Sequence, residues 1–167
     1  MFVDISEILM KKGQSVTFDI SKDLSSDDYK PNINKFLSPV KVEGTVTNVD
    51  GKFELKAKGS VNVLLSCSRC LKDIEQELLF DIDEIYTNTG NEEEAETFNG
   101  SIIELSSVVR RSILFSLPMK VVCSEDCKGL CPVCGKDLNE GECNCDTSYI
   151  NPKFESLRSL FKCDEEV

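Results

Sequence analysis

Alternation of hydrophobic and polar residues dominates the first half of the chain and predicts β-strands. The predicted strands cover residues 15–20, 40–49, 53–57, 61–65 and 73–86. Asp50-Gly51 lies between two alternating runs, as in a hairpin turn, and Lys58-Gly59-Ser60 predicts a second turn. Residues 21–39 predict a long irregular connection. The pattern therefore predicts an antiparallel meander of at least four strands.

A helical period replaces the alternation after residue 104. Apolar side chains recur at intervals of four residues, with Val108 and Phe115 widening the stripe. The recurring positions are Leu105, Val109, Ile113 and Leu117. This stripe predicts a core-facing helix over residues 104–117, which Pro118 ends. A second, short helix is predicted at 153–161 after Asn151-Pro152.

These elements predict an α+β fold with three parts. They are an antiparallel β-meander or partial barrel, one long helix, and a small Cys-rich C-terminal zinc-knuckle module. We expect a β-rich domain at residues 1–120, which includes an acidic linker at 87–99 and the helix. The Cys-rich zinc-binding segment and the terminal helix would occupy residues 121–167.

The negative charge is concentrated in one window of the chain. The chain has 19 Lys and Arg against 30 Asp and Glu, a net charge of −11. Residues 73–104 contain 11 acids and no base, so the net charge of this window equals the net charge of the whole chain. Such a balance argues against a protein that coats naked nucleic acid, which needs excess positive charge. The acidic run at 91–96 fits a solvated loop or a contact for a basic partner.

The composition excludes several classes of protein. Histidine is absent, which rules out Ser-His-Asp and Cys-His catalysis and imidazole metal ligands. No stretch approaches the about 20 apolar residues of a membrane span. The first residues contain acids where a signal peptide has a basic region. We therefore expect a cytoplasmic protein.

Nine cysteines make thiol chemistry the main signal in this sequence. Disulfides would need an oxidising compartment, which the N-terminus does not indicate. Redox catalysis would need one Cys-x-x-Cys at a helix N-terminus in a βαβ unit, but Cys67–Cys70 lies between two predicted strands. Metal binding fits better, because the cysteines come in pairs at metal-ligand spacing.

The best-defined candidate site is the C-terminal group, which consists of Cys131, Cys134, Cys143 and Cys145. The segment Cys131–Gly135 has the form of a zinc knuckle, in which a glycine after the second cysteine accepts a positive φ. Backbone N–H groups of such a turn can point at the sulfurs. Four thiolates form a closed structural site. Zinc is favoured over rubredoxin-type iron because the second pair is Cys-x-Cys rather than another Cys-x-x-Cys-Gly.

The remaining paired cysteines predict a second site, the split group, which consists of Cys67, Cys70, Cys123 and Cys127. About fifty residues separate the two pairs, and loop closure over that distance is not prohibitive. Two alternatives remain open: Cys67 and Cys70 are metal-free thiols, or Cys123 or Cys127 enters the C-terminal group. Cys163 is left over as a free thiol. The chain would hold one or two zinc ions.

Basic side chains beside the cysteines have two interpretations. They screen thiolate charge, or they contact phosphates of an RNA or a protein partner. The candidate contact residues are Arg69, Lys72, Arg110, Arg111, Lys128 and Lys136. Lys52, Lys56 and Lys58 share one predicted sheet face, and with Lys41 would make that face locally basic.

The order of these motifs resembles the YceD family of large ribosomal RNA subunit accumulation proteins. The resemblance extends over about residues 15–162. The segments that carry it are Cys67-Ser68-Arg69-Cys70, the 104–118 helix, Cys123–Asn139, Cys143-Asn144-Cys145 and Asn151-Pro152-Lys153-Phe154. It implies a non-enzymatic protein needed for normal accumulation of large-subunit ribosomal RNA, and it brings no catalytic residues.

The leading hypothesis is thus a zinc-containing accessory factor for accumulation, processing or assembly of large-subunit ribosomal RNA. Its partner would be a ribosomal RNA precursor or a large-subunit ribosomal protein, with no membrane and no small-molecule substrate. The alternative is a metal-delivery or redox protein that uses exposed thiolates. A ribonuclease has little support, because Asp81 and Asp83 fit solvated positions better than a metal site.

Overall fold

The computed structural model describes residues 1–88 and 96–146. The elements in chain order are β1 (Phe2–Asp4), β2 (Ser15–Lys22), a 3₁₀ turn (Asp27–Tyr29), β3 (Lys35–Phe36), β4 (Val40–Val49), β5 (Lys52–Ser66), β6 (Asp73–Thr87), β7 (Glu96–Thr97), β8 (Ile102–Glu104) and α1 (Ser106–Ser116). The helix predicted at 153–161 and residues 91–95 of the acidic run at 91–96 lie outside the described residues.

The chain forms two compact units. The first consists of Met1–Ser68 and Lys72–Cys123. The second consists of Arg69–Leu71 and the chain from Ser124 onward, of which residues 124–146 are described. No helix within residues 1–88 and 96–146 has the length and apolar character needed to cross a membrane.

A mixed sheet in the order β2-β4-β5-β6-β7 forms most of the first unit. Its first four strands are antiparallel, which confirms the predicted meander, whereas β7 runs parallel to β6. Asp50 and Gly51 connect β4 and β5 with φ angles of 54° and 92°. Two positive φ values are typical of the tight turns that favour hairpins.

The turn predicted at Lys58-Gly59-Ser60 is wrong. β5 continues through it as one strand of 15 residues, and Gly59 pairs with Phe80 on β6. A Cβ atom at Gly59 would lie 2.2 Å from carbons of the Phe80 ring. The glycine therefore makes room for an aromatic ring instead of ending a strand.

The interpretation of residues 21–39 as irregular was also too simple. β2 extends to Lys22, the 3₁₀ turn follows, and β3 pairs antiparallel with β5. The predicted linker at 87–99 contains the end of β6 and all of β7. β1 and β8 form a separate two-stranded sheet that the sequence pattern did not predict.

The core of the first unit lies on one side of the sheet, where α1 packs against β6. Alternate residues of the central strands are buried, as the period of two requires. The buried positions around α1 are Leu105, Val108, Val109 and Ile113. The helix is shorter than predicted, because Glu104 belongs to β8. Phe115 does not extend the buried stripe: it is 81% exposed.

The second unit is built around a short hairpin-like segment. Leu130 pairs with Asp137, and the N–H of Cys131 donates to the carbonyl of Lys136 at 2.9 Å. The N–H of Leu138 donates to the carbonyl of Gly129 at 2.9 Å. These contacts place Cys127 before the hairpin and Cys131 at its turn.

Candidate metal centres

The four thiols of the C-terminal group come together in the second unit. The Sγ atoms of Cys131, Cys134, Cys143 and Cys145 all lie within 4.8 Å of one another. Cys131 is buried, Cys143 and Cys145 are half-buried, and Cys134 is exposed. Four sulfurs at this separation could hold one metal ion.

The turn Cys131–Gly135 orients this group through backbone hydrogen bonds. The N–H of Val133 donates to Cys131 Sγ at 3.4 Å, and the N–H of Gly135 donates to the Cys131 carbonyl at 2.9 Å. Gly135 has a φ of 74°. A residue with a side chain rarely adopts that angle, which explains a glycine after the second cysteine. The expected N–H contact to sulfur is therefore present at Cys131.

The hydrogen bonds distribute charge unevenly among the four thiols. Backbone N–H groups of Cys134 and Val133 lower the pKa of Cys131 to about 6. Thiol hydrogen bonding to Cys134, followed by burial, raises the pKa of Cys145 to about 12. Cys131 is therefore the thiol that ionises most readily. The thiolate is the form that binds metal.

The turn Cys67–Leu71 shares one backbone hydrogen bond and a positive φ with the turn Cys131–Gly135. The N–H of Cys67 donates to the carbonyl of Lys72 at 2.8 Å, five residues along the chain, as the N–H of Cys131 does with Lys136. Leu71, after the second cysteine, has a φ of 60°. The two Cys-x-x-Cys turns therefore share these two features, although the turn Cys67–Leu71 has no glycine.

The split group also comes together as four thiols. The Sγ atoms of Cys67, Cys70, Cys123 and Cys127 lie within 4.8 Å of one another. Cys123 is exposed and the other three are buried. These four side chains could hold a second ion. Neither Cys123 nor Cys127 enters the C-terminal group, and Cys163 lies outside the described residues.

Hydrogen bonds within each unit position the split-group cysteines. In the first unit, the N–H of Ser68 donates to the Val121 carbonyl at 2.8 Å, beside Cys67 and shortly before Cys123. In the second unit, one guanidinium nitrogen of Arg69 donates to the carbonyls of Cys127 at 2.7 Å and Glu125 at 3.1 Å. The segment before Cys123 and the carbonyl of Cys127 are thus held by neighbouring backbone and side-chain donors.

Comparison with known proteins agrees with this arrangement of motifs. The family described as large ribosomal RNA subunit accumulation protein YceD has a sequence model that matches residues 55–161. The chain belongs to the YceD family. Over 158 residues, this YceD-family chain is 26% identical to the uncharacterized protein YlbN of Bacillus subtilis (strain 168), a span that covers 92% of each protein. No solved structure matches it significantly.

Several of the candidate contact residues have hydrogen bonds within the YceD-family chain. Arg69 donates to backbone carbonyls, as described above. Arg110 donates to the carbonyl of Asp28 at 2.6 Å, and its guanidinium lies 5.7 Å from the centre of the Tyr29 ring. Lys136 Nζ donates to the carbonyl of Glu142 at 3.0 Å. These three side chains support local structure.

Arg111 is also engaged within the chain, whereas two lysines remain exposed. Arg111 bonds Glu84 at 2.5 Å and Glu96 at 3.3 Å, and the hydrogen bond with Glu84 raises the pKa of Arg111. Lys72 and Lys128 have exposed side chains. Of the six candidate contact residues, these two are the ones whose side chains make no hydrogen bond or ion pair with the described residues.

The predicted basic sheet face is not uniformly basic. Lys56 and Lys58 do share an exposed face of β5. In the sheet register, however, Lys56 lies opposite Asp83 and Lys58 lies opposite Asp81. Glu43 on β4 faces Lys58 from the other side. Carboxylates therefore interrupt the lysines across the strands, a pattern that cannot be read from one strand alone.

Asn139 contacts a candidate metal ligand. The sequence pattern predicted the ligand but not this contact. Its side-chain Nδ2 donates to Cys127 Sγ at 3.5 Å. Asp137 Oδ1 accepts the N–H of Asn139 at 2.8 Å. The Asp-x-Asn pattern is a local turn signal that could have pointed to a fixed asparagine here.

Proposed function

We propose that this YceD-family protein is a non-enzymatic accessory factor for accumulation, processing or assembly of large-subunit ribosomal RNA, structured by Cys-coordinated zinc. The family description supports the ribosomal part of the proposal. The observation that carries the zinc part is the convergence of eight thiols into two sets of four. Thiolates that bind metal need reducing conditions, which is consistent with action in the cytoplasm.

Zinc fits the donor sets better than iron. Zinc sites made of four cysteines are closed, tetrahedral and structural, with no position left for a substrate. The Cys131–Gly135 turn suits either metal, but its partner pair is Cys143-x-Cys145, which departs from the rubredoxin pattern. When bound, zinc would supply a fixed cross-link among loops that have little apolar surface to pack.

Metal analysis of freshly purified, reduced protein tests this part of the proposal. We expect about two zinc ions per chain and no iron. Cys134→Ser and Cys70→Ser should each lower the zinc content by about one ion, whereas Cys163→Ser should leave it unchanged. A chain without metal would contradict the proposal. Rapid loss of zinc to a mild chelator would instead favour the metal-delivery alternative.

The proposal that the protein is not an enzyme also has support in the sheet. The chain has no histidine for acid–base chemistry at neutral pH. The carboxylate pair considered as a metal site, Asp81 and Asp83, lies on an exposed strand face opposite two lysines. Such neighbours favour solvated, charge-compensated carboxylates over a catalytic metal site.

For the partner, we propose direct contact with a basic protein of the large subunit rather than with bare RNA. The exposed face of β6 carries carboxylates at alternate positions, which are Asp73, Glu75, Glu77, Asp81 and Asp83. Glu75 and Glu77 lie opposite Leu64 and Asn62, so no lysine faces them on β5. A face of this charge repels phosphates and attracts Lys and Arg side chains.

Exposed apolar side chains near these carboxylates favour a protein partner. Leu79 is 70% exposed between the carboxylates, and Phe115 on α1 is 81% exposed. Both line a groove of about 430 Å³ together with Arg111. Exposed aromatic and aliphatic groups with a charged surround are typical of protein interfaces.

A pull-down at low salt tests the choice of partner. We expect large-subunit ribosomal proteins to copurify and to remain bound after ribonuclease treatment. Reversing charge with Glu75→Lys and Glu77→Lys together should lower their recovery at least several-fold, because the attraction becomes repulsion. Glu7→Lys, an exposed change outside this face, is the matched control. Complete release by ribonuclease would show that RNA carries the contact.

The same variants test the cellular role. A strain in which the protein is removed should have less large-subunit ribosomal RNA relative to small-subunit ribosomal RNA. The wild-type chain and Glu7→Lys should restore the ratio, and the double reversal should not. An unchanged ratio after removal would contradict the proposed function.

A further inference from the structure

Asn139 makes contacts on three sides in the second unit. Its Nδ2 lies 3.5 Å from Cys127 Sγ and 2.7 Å from Asp137 Oδ1. Its Oδ1 accepts the backbone N–H of Lys128 at 2.8 Å. Its own N–H donates to Asp137 Oδ1 at 2.8 Å. The amide is therefore held by residues on both sides of the hairpin.

These contacts determine which end of the amide faces the sulfur. An N–H group such as that of Lys128 needs an acceptor, so the asparagine oxygen must point towards it. A carboxylate such as Asp137 needs a donor, so the NH₂ group must point the other way. The remaining N–H of that group is then directed at Cys127.

A donor at this sulfur matters because four thiolates around a divalent ion leave net negative charge. N–H···S hydrogen bonds lower the charge on a bound sulfur, and outer hydrogen bonds of this kind orient and tune metal ligands. At Cys131 the backbone of the Cys-x-x-Cys turn supplies such a bond. Cys127 follows Cys123 by four residues, outside a Cys-x-x-Cys turn, and receives a side-chain donor from Asn139.

We propose that Asn139 is a positioning residue for the split group, which strengthens metal binding there by donating from Nδ2 to Cys127 Sγ. This inference rests on the proposed metal binding. It assigns the asparagine a role towards the split group, although the cysteines before and after it in the sequence, Cys134 and Cys143, belong to the C-terminal group. Asp137 supports it by fixing the orientation of the amide.

Asn139→Asp is the sharpest test, because it removes the donor and keeps the shape. An aspartate oxygen can still accept the Lys128 N–H, while the second oxygen replaces Nδ2 and repels both the sulfur and the Asp137 carboxylate. We expect the affinity of the split group for zinc and for cobalt(II) to fall by about 10- to 100-fold. The C-terminal group should keep its affinity. The experiment is a chelator competition on the full chain, with the cobalt–thiolate charge-transfer bands as the spectroscopic signature.

Two further variants keep the test decisive. Asn62→Asp introduces the same charge at an exposed position of β5 and should leave both affinities unchanged. Asn139→Ala removes the donor without introducing a charge, and it should also weaken zinc binding by the split group.

Two outcomes would overturn the inference. Wild-type affinity in Asn139→Asp would show that the donor is unimportant, and equal weakening of both groups would show a general structural role. A wild-type chain that binds no metal would contradict the proposed function itself. If the wild type binds zinc and Asn139→Asp binds it equally tightly, only this inference is contradicted.

Discussion

Leu71 and Gly135 occupy the same position in two turns, each directly after the second cysteine of a Cys-x-x-Cys pair. Their φ angles are 60° and 74°. Glycine adopts this conformation freely, whereas for a leucine it costs about 1–2 kcal/mol. Leu71 is 65% exposed, so packing recovers little of that cost. The Cys67–Leu71 turn therefore stores backbone strain next to a candidate metal ligand.

Replacing this leucine should stabilise the protein. Leu71→Gly relieves the strain but gives the unfolded chain more freedom, which costs about 0.5–1 kcal/mol. We expect a net gain of about 0.5–1 kcal/mol in the free energy of unfolding, measured by urea unfolding of the zinc-loaded chain. Leu79→Gly, at an equally exposed leucine in regular strand conformation, should lose stability. A loss in both variants would contradict the strain argument.

Single residues also show where sequence analysis reaches its limit. The cysteine pairs and Gly135 could be interpreted from spacing alone, because a short turn is a local property. Arg69 could not. Its charge fits either screening of the thiolates or contact with a partner, and its guanidinium donates to carbonyls more than fifty residues away in the chain. Which group a long basic side chain meets depends on tertiary contacts that one sequence does not specify.

At the scale of elements, the period of two predicted the central strands well, since one buried face imposes alternation over many residues. β4 begins and ends where the pattern indicated. Lys58-Gly59-Ser60 was misinterpreted because turns and close packing both select glycine. The deciding contact, between Gly59 and the Phe80 ring, joins residues on different strands and leaves no local signal. β1, β3, β7 and β8 were missed because two or three residues are too few to show a period.

The packing of Gly59 gives a direct prediction. Gly59→Ala places a methyl group against the Phe80 ring and should lower the free energy of unfolding by about 1–3 kcal/mol. Phe80→Leu in the same chain should recover part of that loss, because the smaller side chain leaves room. Asn62→Ala, an exposed change on the same strand, is the control. If Gly59 were a turn residue, Phe80→Leu would only add its own destabilisation.

At the scale of the whole molecule, the two units differ in how they are stabilised. The first has a contiguous apolar core under its sheet. The described part of the second consists of turns, one bridge and cysteines, with no regular strand or helix. All four members of the C-terminal group belong to this second unit. Metal at that group would therefore replace a hydrophobic core locally, as in other small metal-bound modules.

The last prediction follows from this difference. Cys131→Ser removes one ligand and the sulfur that accepts the Val133 N–H, so it should loosen residues 124–146 while the sheet stays folded. Hydrogen exchange should become at least tenfold faster in 124–146 and remain unchanged in β4, β5 and β6, and the zinc content should fall by about one ion. Cys163→Ser, which changes a thiol outside both groups, should show neither effect. Faster exchange throughout the sheet would mean that the first unit depends on the C-terminal group, and the assignment of separate stabilising roles would then be wrong.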